Sequence, residues 1–215
     1  MENLKANGFA PRTVIDVGAF IGEWSQAVHA VFPKAHFLMV DGNPENKESL
    51  ARTAGELSDA EILIALLGPE SRKEVTFHVR KTGSSVLPDL TSFGHKPITL
   101  PMVRLDDAIR DRACPEPFLL KLDVQGFELE VLRGAAETLQ HAEVVVLEAS
   151  LLPFNQGSPL FAEVIAFMAE SGFLAYDFCG QFRRETDYAL FQTDVVFVRA
   201  ESALRARKKF WLHEP

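Results

Sequence analysis

The sequence predicts an α/β fold built on one mostly parallel sheet. Three observations carry this expectation. Short β-branched runs alternate with helical periodicities along most of the 215 residues. The first such run ends in a glycine turn, Asp16-Val17-Gly18-Ala19-Phe20-Ile21-Gly22. The last two strand-like runs follow each other with no helix between them, which puts one antiparallel strand into the sheet.

Each element has its own warrant. Residues 13–18 (TVIDVG) are a β-branched run of the kind that forms a buried parallel strand. Trp24, Ala27, Val28 and Val31 then recur at helical spacing, stopped by Pro33. Residues 35–41 (AHFLMVD) give a second strand, and Asn43-Pro44 caps the next helix, whose apolar face is Leu50, Ala54 and Leu57. Residues 61–68 (EILIALLG) complete βαβαβ. Two further strands, 74–81 and 99–105, form a β-insertion after the third strand and flank a Gly-, Ser- and Pro-rich loop at 82–98. Long loops in compact domains are commonly functional, and this one is the expected lid. The alternation resumes with a strand at 118–124, a helix marked by Phe127, Val131, Leu132, Ala135 and Leu139, and a strand at 143–150. Ser158-Pro159 opens a helix carrying Phe161, Val164, Ile165 and Met168. Strands at 173–178 and 191–199 close a seven-stranded sheet, and no linker splits residues 1–215 into separate domains.

Composition narrows the function. Hydrophobic residues make up 47%, ordinary for a globular protein. Twenty-two basic and thirty acidic residues give a net charge of −8, which argues against a dedicated nucleic-acid binder. The basic cluster Arg205, Arg207, Lys208 and Lys209, in a tail at 201–215, reads either as a solvated end or as a contact with an anionic surface. Cys114 and Cys179 form no CxxC pair, which suits a reducing compartment. The first residues, MENLKANGFAPRT, lack an apolar signal segment, and no run reaches ~18 apolar residues. A cytoplasmic protein without integral membrane association is the expectation; a homodimer stays open.

The glycine turn carries the chemistry. Ligands of open α/β sheets bind at the carboxyl ends of the strands. Gly18 permits a tight turn and a close ligand approach, and Gly22 permits close packing at the helix start. Asp16 either caps the turn or faces a cationic group; a carboxylate there repels a pyrophosphate, and the middle glycine of a dinucleotide fingerprint is missing. That favours S-adenosyl-L-methionine, whose amino-acid tail carries an ammonium, over a nicotinamide cofactor. Asp41, at the end of the second strand, can accept both hydroxyls of a ribose. Asn43, Phe20 and Ser85 join the candidate cofactor residues, together with Asp123.

The stretch LKLDVQGFELEVLRGA (120–135) resembles the signature of the FkbM-type methyltransferase family. VIDVGAFIGEW and VDGNP are similar to that family's first two motifs, and GSSV, LDD and VVLEAS follow in family order. The resemblance covers residues 13–199. It implies a class I, Rossmann-like, S-adenosylmethionine-dependent methyltransferase fold and O-methylation of a hydroxyl on a small molecule or glycan. Three positions depart from the family pattern: Phe20 stands for Asn, Asp41-Gly42 for Glu-Pro, and Gln125 for Glu.

Methyl transfer needs alignment and, for a neutral hydroxyl, a base worth on the order of 10²–10⁴ in rate. Asp123 ends the fourth strand and is the foremost candidate. Lys121 shares its strand face and either stabilises an alkoxide or forms a buried ion pair. Glu128 opens a helix, where it acts in catalysis or complements the helix dipole. Glu148 ends the next strand at the same rim. Asp123, Glu128 and Glu148 have the oxygen ligands of a hard-cation site, but Gln125 removes an acid from the group, and no metal site is assigned. His95, in the loop, is a candidate base on closure, and Ser84 and Ser85 are candidate hydrogen-bonding groups. A non-catalytic cofactor-binding scaffold and an NAD-dependent oxidoreductase are the competing readings.

Overall fold

A computed structural model of the chain describes residues 1–80, 83–88 and 96–206. In chain order, a short helix α1 (Glu2–Ala6) precedes β1 (Thr13–Val17), α2 (Glu23–Val31), β2 (His36–Asp41), α3 (Lys47–Glu56) and β3 (Ala60–Ile64). The insertion contains β4 (Leu66–Leu67), β5 (Arg72–Val79) and β6 (Lys96–Val103). After α4 (Leu105–Ile109) come β7 (Phe118–Leu122), α5 (Glu128–Arg133), α6 (Ala136–His141) and β8 (Ala142–Ser150). The chain continues through α7 (Phe161–Glu170), β9 (Phe173–Arg183) and β10 (Leu190–Arg199).

The main sheet has seven strands in the order β3-β2-β1-β7-β8-β10-β9. β10 runs antiparallel to both of its neighbours, and the remaining pairs are parallel. This is the α/β architecture expected from the sequence. The strand order reverses between β1 and β7, so the carboxyl ends of these strands open a crevice for a ligand. β1 and β7 are buried along their whole length. One face packs Ile15, Leu120, Leu122, Leu147 and Phe197 against α5 and α7. The other packs Val14, Phe37, Leu119, Val146 and Val196 against α1 and α2.

The insertion differs from expectation in one respect. The run read as one strand at 61–68 breaks at Ala65, whose N–H turns to the carbonyl of Asp41 at 3.0 Å. Leu66–Leu67 leaves the main sheet and joins a separate three-stranded sheet of order β4-β6-β5. That sheet has its own small core of Leu66, Phe77, Val79 and Met102.

The helix read through Phe127 to Leu139 is also interrupted. At Gly134 a Cβ would lie 2.1 Å from the carbonyl oxygen of Gly68, so the chain passes the residue after β4 with no room for a side chain. α6 restarts beyond it under a remote cap. Buried Asp106 of α4 accepts the N–H groups of Glu137 (3.1 Å) and Thr138 (2.8 Å) and the Thr138 hydroxyl (2.7 Å). Charged acceptors satisfy the orphan amides of a helix start strongly. α7 begins at Phe161 rather than at Pro159, with Glu163 accepting the Leu160 N–H at 2.8 Å. β9 continues to Arg183, past the boundary read at 178.

Cys114 and Cys179 are both free thiols. Among the described residues no helix is long and apolar enough to cross a membrane. His95 and the tail residues Arg207, Lys208 and Lys209 lie outside the described residues.

Asp106→Ala removes the carboxylate that three donors of α6 and the guanidinium of Arg104 share. We expect a loss of about 3 kcal/mol in unfolding free energy, read by denaturant titration, since buried donors lose their acceptor. A loss below ~1 kcal/mol would make the cap incidental.

Candidate active site

The crevice is built by three carboxyl-end loops. At the end of β1, Gly18 adopts φ +78°. A Cβ on it would lie 1.8 Å from the carbonyl oxygen of Asp123, so the glycine turn and the loop after β7 touch backbone to backbone. Gly22 (φ +87°) starts α2, and a Cβ there would meet Thr53 Cγ2 at 2.5 Å. Gly22 packs closely at the helix start as expected, and Gly18 makes the tight turn and in addition packs against the loop after β7. Phe20, between them, is held at φ 52°.

The second loop follows β2. Asp41 Oδ2 accepts the N–H of Phe20 at 2.8 Å. Its Oδ1 accepts the N–H of Asn43 at 2.7 Å and Asn46 Nδ2 at 3.1 Å. Burial pushes its pKa above the ordinary carboxylate value, against the pull of these bonds. Asn43 itself caps the turn, its Oδ1 accepting the Glu45 N–H. Asp41, Gly18, Phe20 and Asn46 line a cavity of about 230 Å³. Leu66, Phe77, Val86 and Phe127 give this cavity its apolar lining, and Asp123 and Gln125 also line it.

Asp16 lies elsewhere. It is fully buried and does not line the cavity. Its Oδ2 accepts the Ser25 hydroxyl at 2.7 Å. Its Oδ1 sits 3.4 Å from Lys121 Nζ, without hydrogen-bond alignment. The same ammonium is 3.4 Å from Asp123 Oδ2 and lies over the Trp24 ring at 5.5 Å. Burial works against the charge on Lys121, but the two carboxylates outweigh it, and the ammonium stays protonated far into the alkaline range. The negative charge of Asp16 therefore faces an internal cation rather than the open turn.

The third loop, after β7, is strained and firmly held. Gln125 adopts φ 56°, the left-handed region that favours glycine. Its carbonyl accepts the hydroxyl of Ser85 at 3.0 Å and Asn155 Nδ2 at 2.6 Å. Its side-chain Nε2 donates to Asp123 Oδ1 at 2.9 Å and to Glu148 Oε2 at 3.1 Å. Glu128 is buried beneath the loop, where its Oε1 accepts the N–H groups of Val124 (2.9 Å) and Gly126 (3.1 Å). Burial raises the Glu128 pKa to about 7 despite those bonds. Glu148 also accepts Gln192 Nε2 at 2.9 Å and stands opposite Asp194 of β10. Burial, then the nearby Asp123, Glu128 and Asp194, push its pKa up to about 9.

Of the residues singled out in the sequence, Gly18, Phe20, Asp41 and Asp123 thus meet at the cavity wall. Asp16, Gly22, Asn43, Ser85, Lys121, Glu128 and Glu148 stand behind it, mostly as its supports. Ser84, not Ser85, lines the cavity, its hydroxyl bonded to the Arg80 backbone. Asn46, Asn155, Gln192 and Asp194 were not foreseen. Asn46 follows the Asn43-Pro44 turn and was within reach of motif reading; the other three arrive from late segments with no local signature. Among the described residues no group of His, Cys, Asp and Glu is arranged to hold a metal ion.

The sheet order, the glycine turn and the acid after β2 define a class I, Rossmann-like methyltransferase. Residues 16–175 match the Methyltransferase FkbM domain, and the chain belongs to that family. A curated relative, the hexuronic acid methyltransferase AglP of Haloferax volcanii, is 25% identical over 135 residues, covering 62% of this chain and 54% of the relative. The chain thus spans about half the length of that relative. Among solved structures, an FkbM methyltransferase of Methylobacillus flagellatus superposes with a TM-score of 0.54 at 16% identity, over 86% of this chain and 43% of its own. A precorrin-6y C5,15-methyltransferase of Geobacter metallireducens gives a TM-score of 0.52 at 12% identity, over 91% and 84%. M. capricolum TrmK, solved with S-adenosyl-homocysteine, gives 0.52 at 5% identity, over 92% and 67%.

Glu148 makes stability depend on pH with a defined sign. Its folded pKa of about 9 lies above the unfolded value near 4.5, so between these the folded state holds the extra proton. Stability contributed by the protonated form is present at low pH and is lost as pH rises toward 9, at up to about 1.4 kcal/mol per pH unit. Glu148→Gln is expected to flatten this decline in unfolding experiments run from pH 5 to 9. An unchanged slope would locate the titration elsewhere.

Proposed function

We propose that this chain transfers a methyl group from S-adenosylmethionine to a hydroxyl of a small-molecule or glycan acceptor. The residues present fit that cofactor. Gly18 leaves a cradle that a Cβ would close, Asp41 presents a carboxylate at the cavity wall, and no phosphate-binding glycine set is present. Asp41 and Asn46 would hold the ribose hydroxyls. Leu66, Phe77 and Phe127 would take the purine, and the Gly18–Phe20 turn the amino-acid tail. When bound, the cofactor supplies a sulfonium methyl already activated for displacement.

The protein's part is alignment and one proton. The backbone contact between Gly18 and Asp123 fixes the turn against the loop, and fixed positioning can be worth roughly 7–11 kcal/mol. Asp123 lines the cavity beside the Lys121 ammonium. It orients the acceptor hydroxyl and takes its proton as the carbon–oxygen bond forms and the carbon–sulfur bond breaks. The observation that carries this reading is the pair of carboxylates, Asp41 and Asp123, lining one cavity from two different strand ends. The likeness to the hexuronic acid methyltransferase of Haloferax volcanii supports a sugar acceptor.

Calorimetric titration with S-adenosylhomocysteine and turnover on hydroxylated acceptors test it. Asp41→Ala is expected to weaken cofactor binding by more than about tenfold, because a buried acceptor pair is lost. Asp123→Asn is expected to lower turnover by about 10²-fold or more while leaving cofactor affinity within about twofold. Tight cofactor binding with no turnover on any acceptor would instead favour a non-catalytic scaffold.

A further inference from the structure

Past the rim of the sheet, the last two strands continue as a hairpin. β8 ends at Ser150, whose partner on β10 is Gln192, so residues 183–191 extend beyond the supporting strand. The tip is closed by Arg184 N–H to Ala189 O and Tyr188 N–H to Arg184 O, both 2.9 Å. Ala189 N–H also donates to Asp187 Oδ1 at 3.1 Å, and Arg184 ion-pairs with Asp187.

This closed turn holds Tyr188 at φ 61°. The left-handed region favours glycine or asparagine, and a bulky residue there is strained. The ring gains no burial in return, since Tyr188 is 74% exposed. The Arg183 guanidinium lies over the ring, 5.2 Å from its centroid, and donates from Nη1 to the Tyr188 carbonyl at 3.2 Å. Arg183 makes no ion pair among the described residues. The ring is thus strained and exposed, and the guanidinium on its face has no carboxylate partner among the described residues.

Its chemistry suits one ligand class. An aromatic face stacks on the apolar face of a sugar ring, and a guanidinium binds a carboxylate with paired, charge-assisted hydrogen bonds. Its place suits the acceptor. Gln192 bonds Glu148, which Gln125 links to Asp123. Tyr188 precedes Gln192 by four residues, so the chain between them spans at most about 13 Å. We propose that Tyr188 and Arg183 form a distal acceptor subsite for an acidic sugar unit of an oligosaccharide whose reacting unit lies at Asp123. The inference rests on the reading of the rim as the acceptor site.

The full chain is titrated with a tetrasaccharide of galacturonate and with a neutral tetrasaccharide of glucose. Tyr188→Gly is expected to weaken galacturonate binding roughly tenfold. The same variant should melt at the same or a higher temperature, because glycine relieves the backbone strain. Arg183→Gln is expected to weaken galacturonate binding by roughly tenfold and leave the neutral sugar unaffected. Galacturonate affinity unchanged in both variants, or absent from the wild type, would overturn the subsite. Binding that both variants weaken, without methyl transfer to any uronate glycan, supports the subsite and overturns the acceptor assigned under the proposed function. Methyl transfer to such glycans with a KM indifferent to both substitutions does the reverse.

Discussion

A buried ammonium between two carboxylates sets the geometry of the rim. In the parallel pairing of β1 with β7, Lys121 is the direct partner of Asp16, and Asp123 follows two residues later. One side chain therefore reaches a carboxylate on each strand, 3.4 Å away in both directions. Each ion loses several kcal/mol of hydration on burial, so the arrangement is weak evidence for added stability. It does fix where the charge resides. Asp16 is neutralised below the surface, and Asp123 is the member of the set that lines the cavity. The glycine turn of β1 has a steric task as well: at Gly18 it admits the loop after β7 with no space to spare.

That contact explains why strain collects on the two loops that meet there. Phe20 and Gln125 are both non-glycine residues at positive φ. Such conformations persist where surrounding bonds over-determine them. The Phe20 N–H is held by Asp41, and the Gln125 carbonyl by Ser85 and Asn155. Ser85 comes from the insertion and Asn155 from the segment after β8. The loop carrying Asp123 is thus anchored from two distant parts of the chain, and the insertion supports the site as well as walling it.

How much of this the sequence disclosed follows from how far apart the partners lie. The parallel order, the antiparallel last strand, the glycine turn at Gly18 and Gly22 and the acid at the end of β2 were legible, because each depends on a run or turn of a few residues. The break at Ala65 was not, because the run Ile62 to Leu67 is uniformly apolar and only its partners differ: β2 for the first half, β6 for the second. The interruption at Gly134 needs the carbonyl of Gly68, which no periodicity reveals. The sequence leaves Asp16 either a turn cap or a partner of a cationic group. The strand-end carboxylate was visible, but the register that sets Lys121 beside it is a tertiary fact, and the internal cation claims the charge. Gln192 and Asp194 lie on a strand whose alternation reads as ordinary β structure, and pairing with β8 is what carries them to Glu148.

The same geometry bears on the acids that do not touch the cavity. Asp123, Glu128, Glu148 and Asp194 crowd one rim, and Lys121 supplies a single balancing charge. Two amides ease that crowding. Gln125 and Gln192 both donate to Oε2 of Glu148. With that oxygen already furnished with donors, the proton that burial keeps on Glu148 belongs on Oε1. A glutamate at position 125 would remove one donor and add a charge between Asp123 and Glu148, leaving three acids to share a cation from outside. The amide instead ties Asp123 to a neutral neighbour. The departure at Gln125 is thus compatible with proton chemistry centred on Asp123 and needs no cation at the position the amide fills.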